Sequence, residues 1–190
     1  MIRRAVPGDA AGIAAVQVAA WRTTYPGLIP EALLAQMTLA RQVPRWRAML
    51  SEGTDGAHHV TKLAARIAGF VSNGAPRDDT LRGLGATGEI MALYVHPDCV
   101  RQDLGRQLFH PAAAGLAARG MAPFGLWVIA GNDRAAAFYR RLGGRPVTTQ
   151  WAEVTAGACA KPPGCGRTTA PRTRRGHSPA NTAARSGRRG

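Results

Sequence analysis

The stretch that decides the fold is GEIMALYVHPDCVRQDLGRQL at residues 88–108, followed by LWVIAGNDRAAAFYRRLGG at residues 126–144. Within the first segment, the run EIMALYV at residues 89–95 predicts a strand, because it is apolar and is closed by a His-Pro-Asp turn. Apolar residues then recur at helical spacing and predict a helix over residues 104–119. The two segments together predict a strand–loop–helix unit followed by another strand and helix.

The loop between the first strand and its helix has the features of an anion site. Backbone N–H groups of the loop and of the first helical turn converge there, and the helix dipole adds positive potential. Arg101 and Arg106 flank the same point, which indicates a phosphate or pyrophosphate ligand. An ordinary strand-to-helix connection with surface arginines is the alternative.

The flanking sequence completes an α/β pattern without internal repeats. A helix begins at an Asp9 N-cap and runs to about Trp21, and residues 73–87 form an unpatterned loop. The other predicted elements are a strand at 2–5, helical segments after Pro30 and around Trp46, a hairpin of 58–63 with 66–72, strands at 125–130 and 146–154, and a helix at 133–142.

Composition divides the chain into two parts. The net charge is +14 over 190 residues, and half of the excess lies in residues 151–190. From residue 155 onward there is no Val, Ile, Leu, Met, Phe, Trp or Tyr, so this segment lacks the apolar surface that folding requires. We therefore expect an α/β domain over residues 1–154 and a disordered basic tail over residues 155–190.

The origin of the tail stays open between two hypotheses. Its Ala, Arg, Gly, Pro and Thr bias is typical of a GC-rich reading frame translated out of frame, which favours a frameshifted or decayed terminus. The alternative is a genuine basic tail for nucleic acid, although the tail has no aromatic residue for base stacking.

Other sequence features indicate the cellular location of the protein and the absence of some kinds of site. The three cysteines are an odd number without C-x-x-C spacing, and the N-terminus MIRRAVPGDA has no apolar signal region, so we expect a cytoplasmic protein. No apolar run is long enough to span a membrane, and the histidines lack metal-ligand spacing. The sequence predicts no membrane span and no metal site.

The two segments that open this section resemble the core of the GCN5-related N-acetyltransferase (GNAT) family. The opening IRRAVPGDAAGIAAVQVAAWRTTYPGLIPEALL, residues 2–34, is similar to the first strand and helices of bacterial members. The resemblance covers about residues 1–150. It implies the acyl-CoA N-acyltransferase fold, a mixed and mostly antiparallel sheet with flanking helices, whose last strand is missing or altered in this chain.

The same resemblance implies an acetyltransferase, an acyltransferase that uses acetyl-CoA as co-substrate and acetylates a primary amine of a small molecule or peptide. It assigns the pyrophosphate to the loop and helix start at residues 100–106, and the pantetheine arm to the preceding strand and to the strand that follows. The implied cofactor-binding residues are Leu93, Tyr94, Val95, Val100, Arg101, Gln102, Asp103, Leu104, Gly105, Arg106 and Asn132.

For the chemistry, the resemblance implies Glu89 as the residue that accepts the amine proton and Tyr139 as the acid that protonates the CoA thiolate. The Val95 N–H is the expected oxyanion donor. Alternatives are an exposed strand-end role for Glu89 and helix-face packing for Tyr139. Trp21, Tyr25 and Trp46 are candidates for the acceptor wall, with packing in the core as the alternative.

Three departures from the family pattern keep an alternative function open. Val100 and Asp103 replace the family's polar residue and first glycine, and an aspartate adds negative charge where a pyrophosphate should lie. Pro111 interrupts the helix after the loop. The alternative is a catalytically impaired domain, or a binding protein that uses the tail for nucleic acid. A monomer and a homodimer remain equally compatible with the sequence.

Overall fold

A computed structural model describes residues 1–52, 56–100 and 102–148, together with the backbone of a strand at residues 165–171. The helices are α1 (Ala10–Thr24), α2 (Glu31–Leu34), α3 (Leu39–Ser51), α4 (Asp79–Gly83), α5 (Leu104–Ala118) and α6 (Asp133–Arg141). The strands are β1 (Ile2–Arg4), β2 (Ala57–Leu63), β3 (Arg66–Gly74), β4 (Gly88–Val95), β5 (Phe124–Ile129), β6 (Gly144–Thr148) and β7 (Cys165–Pro171).

The strands form one seven-stranded sheet in the order β1-β2-β3-β4-β5-β7-β6. Neighbouring strands run antiparallel except β4 and β5, which pair in parallel. Adjacent residues of β3 face opposite sides: Phe70 packs with α1 and α3, whereas Val71 packs with α5. The sheet therefore lies between two helical layers, as the sequence predicts for an α/β domain.

Local hydrogen bonds explain two differences from the sequence-based elements. Asp9 does not cap α1 through its side chain; its carboxylate pairs with Arg3 and accepts from the Val6 N–H instead. The predicted loop at 73–87 contains the short helix α4, which Asp78 caps by accepting from the Leu81 N–H at 2.9 Å. Neither helix boundary follows from apolar periodicity.

The tail prediction is wrong for seven residues. Cys165–Pro171 forms β7, which fills the position between β5 and β6 through backbone pairs such as Leu126 with Thr169. Backbone hydrogen bonds form without large apolar side chains, which is why composition missed this strand. It is an altered final strand of the kind that the family resemblance implies. The rest of the predicted tail lies outside the described residues.

Pro111 does not end α5, which continues to Ala118. The segment between β6 and β7, including the end of the predicted strand at 146–154, lies outside the described residues. Within the described part of the chain, no helix has both the length and the hydropathy that a bilayer crossing requires.

Candidate active site

A cavity of about 550 Å³ opens where β4 and β5 part from each other. The two strands pair only at Gly88 with Phe124 and at Glu89 with Gly125. Beyond this point residues 90–95 of β4 and 127–129 of β5 both line the cavity. A ligand can therefore enter between two strands whose facing edges do not pair with each other there.

The backbone N–H and C=O groups of alternate β4 residues face this cavity. The His96 N–H donates to the Ala68 carbonyl at 2.8 Å, so Val95 and its partner Gly69 form a non-hydrogen-bonded pair. The N–H and C=O of Val95 therefore point away from β3, toward the side from which β5 has diverged. The register places Leu93 in the same orientation, whereas the backbone of Tyr94 points toward β3. Tyr94 can act on the cavity only through its side chain.

The start of α5 forms the polar end of the cavity. The first intrahelical bond of α5 runs from the Gln107 N–H to the Asp103 carbonyl at 3.0 Å, which leaves the N–H groups of residues 104–106 without an i−4 partner inside the helix. Leu104, Gly105 and Arg106 all line the cavity. This end is therefore suited to bind an anion, as the sequence predicts.

Asp103 occupies the position that precedes α5 in a left-handed conformation, with φ 56°. That conformation favours glycine, which explains why the family pattern has glycine there. The Asp103 side chain makes no cap hydrogen bond; its carboxylate lies 3.5 Å from Arg106, with both side chains exposed. The aspartate is tolerated at this position without acting as an N-cap.

Most of the predicted cofactor-binding residues reach the cavity. Those that line it are Leu93, Tyr94, Val95, Val100, Asp103, Leu104, Gly105, Arg106 and Asn132. Gln102 is exposed and is not part of the lining, and Arg101 lies outside the described residues. The Asn132 side chain also caps α6, because its Oδ1 accepts from the Ala135 N–H at 3.1 Å.

One face of α6 contributes arginines that the sequence analysis missed. Arg134, Phe138 and Arg141 lie at i, i+4 and i+7 and all line the cavity. Phe138 also closes the space beside Gly105, where an added Cβ would lie 3.3 Å from its ring. The helical spacing of basic residues in DRAAAFYRR was a signal that could have identified this face.

Tyr139 lines the same cavity and packs against two rings, Phe109 at a centroid distance of 6.1 Å and Phe138 at 5.0 Å. Both sequence-based alternatives for Tyr139, a site role and packing, therefore describe its position. Burial raises the pKa of the Tyr139 phenol above its ordinary value of 10.0, and Tyr94 raises it further. The phenol stays protonated at neutral pH and can donate a proton or a hydrogen bond.

The structure places Glu89 differently from both sequence-based alternatives. Its side chain is 0% exposed and does not line the cavity. Its carboxylate accepts from the Arg77 backbone N–H at 2.8 Å and from the Arg77 guanidinium at 2.6 Å. These bonds argue against a general base, because the oxygens already bind a cation. Arg77, which lines the cavity, was missed because its loop has no pattern.

The aromatic candidates for the acceptor site differ in position: one lines the cavity, one lies behind its wall and one lies in the hydrophobic core. Tyr25 lines the cavity, whereas Trp21 is only 4% exposed and supports the wall from behind. Trp46 belongs to the core beside Phe70 and donates to the Gln17 Oε1 at 2.7 Å. Tyr94, predicted only as a backbone contact, joins Tyr25 at the wall through its hydroxyl.

The charged side chains that line the cavity are mostly basic. The described lining contains the arginines Arg77, Arg106, Arg134 and Arg141 against one carboxylate, Asp103. No cluster of three or more His, Cys, Asp or Glu side chains suited to a metal occurs in the described part of the chain. The lining therefore favours an anionic ligand.

Comparisons with known proteins agree with this geometry. The family described as FR47-like protein matches residues 80–152, which include both diverging strands and most of the residues that line the cavity. An uncharacterized N-acetyltransferase of Bacillus subtilis (strain 168), YuaI, is 30% identical over 131 residues, which are 69% of this chain and 72% of that protein.

Solved structures show the same fold. The PaiA N-acetyltransferase of Thermoplasma acidophilum, solved in complex with coenzyme A, has a TM-score of 0.68 at 16% identity over 91% of this chain and 98% of its own. A GCN5-related N-acetyltransferase from Rhodopseudomonas palustris has a TM-score of 0.68 at 23% identity over 90% and 94% of the two chains. With the diverging strands, the anion-binding helix start and the Bacillus relative all in agreement, the chain belongs to the GNAT family of N-acetyltransferases.

Proposed function

We propose that this chain transfers the acetyl group of acetyl-CoA to the primary amine of a small molecule or peptide. The observation that carries the proposal is the cavity between β4 and β5, with an anion-binding helix start at one end and the Tyr139 phenol in its wall. The coenzyme A in the Thermoplasma relative supports the same class of ligand.

The residues of the polar end fit the phosphates of CoA. The N–H groups at the start of α5 suit the pyrophosphate, and Arg106, Arg134 and Arg141 supply positive charge around it. The backbone groups of Leu93 and Val95 point toward the diverged side of β4 and can pair with the amides of the pantetheine arm. Two types of contact thus align the thioester along β4.

Chemically, the neutral amine attacks the thioester carbonyl carbon, a C–N bond forms and the C–S bond breaks, and the proton that the attacking nitrogen loses passes through solvent and restores the Tyr139 phenol after it has protonated the thiolate. The Val95 N–H can stabilise the negative charge that develops on the carbonyl oxygen. The Tyr139 phenol can protonate the departing thiolate, because its raised pKa keeps it protonated. At the closed end, the buried Glu89 carboxylate pairs with the half-buried Arg77 side chain. We assign this pair to fixing the start of β4 rather than to exchanging protons with the amine.

We further propose that the acceptor carries no second positive charge. Four arginines line the described cavity, and its one lining carboxylate, Asp103, lies at the phosphate end. The second ammonium group of a diamine would therefore find no carboxylate partner among the described lining residues of the acceptor end. We keep a cytoplasmic location as part of the proposal, since the co-substrate acetyl-CoA is a cytoplasmic metabolite.

The test is acetylation measured by release of free thiol and by the mass of the product, with 1-butylamine, 1,4-diaminobutane and short peptides as acceptors. Arg141→Gln should raise KM for acetyl-CoA by about tenfold at low salt, and the increase should shrink as salt rises. Arg140→Gln is the matched control, because Arg140 is exposed on the same helix and is not part of the lining. Equal effects of the two substitutions, or no product with any acceptor, would contradict the proposal.

A further inference from the structure

Three side chains form a hydrogen-bonded chain that connects α1 to β4 at the cavity wall. The Trp21 Nε1–H donates to the Tyr94 hydroxyl oxygen at 3.1 Å, and that hydroxyl lies 3.2 Å from the Tyr25 hydroxyl. The Trp21 and Tyr25 rings also pack edge to face at 5.1 Å. The cluster joins residues that are far apart in sequence, and a packed core does not require it.

The direction of the first bond follows from the chemistry of its donor. An indole N–H can only donate, so the Tyr94 oxygen accepts from Trp21. Between Tyr94 and Tyr25 either hydroxyl can be the donor. In both directions a phenol oxygen has two acceptor positions, so the Tyr25 oxygen can accept from a ligand N–H in addition to its contact with Tyr94.

The cavity lining and the register of β4 locate the Tyr25 and Tyr94 hydroxyls relative to the proposed reaction. Tyr25 and Tyr94 both line the cavity that Tyr139 lines, although Tyr25 is only 6% exposed. Tyr94 follows Leu93 and precedes Val95, whose backbone groups point into the cleft. The hydroxyl pair therefore lies beside the position that the thioester occupies in the proposed function.

We propose that the Tyr25 hydroxyl oxygen binds the N–H of the acceptor amine and orients its lone pair toward the thioester, and that Trp21 and Tyr94 are positioning residues that hold Tyr25 in place. The inference rests on the proposed function and deepens it by naming the residues that receive the amine. The proposed contact suits a monoamine, because a phenol oxygen accepts a hydrogen bond from the amine but supplies no negative charge for a second ammonium group.

The first experiment does not depend on turnover. Full-length protein labelled with ¹⁵N is saturated with desulfo-CoA and titrated with 1-butylamine while the indole N–H signals are followed by NMR. The Trp21 signal, assigned with Trp21→Phe, should shift with saturation, and the Trp46 signal should not, because Trp46 bonds Gln17 in the core. Tyr25→Phe should abolish the shift. A shift that persists in Tyr25→Phe, or no shift at all, would overturn the inference.

The second experiment uses the acetylation of 1-butylamine. Tyr25→Phe and Tyr94→Phe should each raise KM for the amine by about tenfold and leave KM for acetyl-CoA unchanged. The double variant should resemble either single variant, because both hydroxyls act through one chain. If the increases in amine KM of the two single variants multiply in the double variant, the proposed hydrogen-bonded chain is contradicted. If desulfo-CoA and acetyl-CoA fail to bind the wild type, the proposed function fails, whereas normal binding with unchanged amine KM values rejects only the inference.

Discussion

At the scale of single residues, the Tyr139 hydroxyl is the group on which the proposed chemistry depends most. Tyr139→Phe keeps the ring contacts with Phe109 and Phe138 and removes only the proton donor. We expect kcat to fall by about a hundredfold or more, while the affinity for acetyl-CoA changes less than about twofold. Steady-state kinetics with calorimetry measure both. A kcat close to that of wild type would show that Tyr139 only packs.

The pH dependence follows from the same residue. Because burial and Tyr94 raise the pKa of Tyr139 above 10.0, its phenol remains protonated throughout the neutral and mildly alkaline range. Deprotonation of Tyr139 should therefore cause no loss of kcat below about pH 10. A loss of kcat with a midpoint near pH 8 that disappears in Tyr139→Phe would contradict this assignment.

Substitution of Glu89 distinguishes a structural role of its carboxylate from a catalytic one. Glu89→Gln places an uncharged amide at a buried position beside the half-buried Arg77 guanidinium, so we expect a loss of about 2–4 kcal/mol in the free energy of unfolding. Asp79→Asn is the control, because Asp79 pairs with Arg82 at 97% exposure and should cost less than about 0.5 kcal/mol. Urea unfolding gives both values. A normal stability with lost kcat would return Glu89 to the role of base.

Site residues differ in how much the sequence could reveal about them. The family pattern and the strand–loop–helix spacing located Gly105, Asn132 and Tyr139 at the cavity. The pattern could not place Arg77, because its contact with Glu89 joins a loop without periodicity to a strand end. Nor could it assign Tyr94 to a hydroxyl pair, since that contact depends on how α1 packs across the sheet.

At the scale of elements, the start of α5 controls the affinity for the phosphates. Asp103→Gly suits the left-handed backbone and removes a negative charge, whereas Asp103→Asn removes the charge and keeps a side chain that tolerates this conformation. Both should raise the affinity for acetyl-CoA several-fold at low salt, with a smaller gain at high salt. A gain only in the glycine variant would identify the side chain, rather than its charge, as the obstacle. Unchanged affinity in both variants would contradict the anion site.

Element boundaries followed from sequence where apolar periodicity was strong. The β4 and α5 limits differ from the predicted ones by one residue at an end. Periodicity gave no sign of α4, which a single aspartate cap supports, or of β7, whose contribution to the sheet is main-chain pairing. Both elements depend on backbone hydrogen bonds, which composition does not record.

At the scale of the whole molecule, the buried His58 links stability to pH. Burial lowers the pKa of His58, with smaller effects from Arg4 and His59, so the unfolded chain binds a proton more readily than the folded one below about pH 6.5. The stability present above that pH is therefore lost as the pH falls. His58→Gln should lose less melting temperature between pH 7 and pH 5 than wild type, and the exposed His110→Gln should behave like wild type. Thermal unfolding at both pH values measures this, and identical slopes would contradict it.

The most direct test of the central claim is calorimetric titration of the full chain with acetyl-CoA. We predict one site per chain with a dissociation constant of about 1–100 μM, and binding weakened by salt because arginines and helix N–H groups bind the phosphates. S-acetylpantetheine, which lacks the nucleotide, should bind at least about tenfold more weakly. No binding at about 1 mM acetyl-CoA, or equal binding of the two ligands, would contradict the assignment of the cavity between β4 and β5.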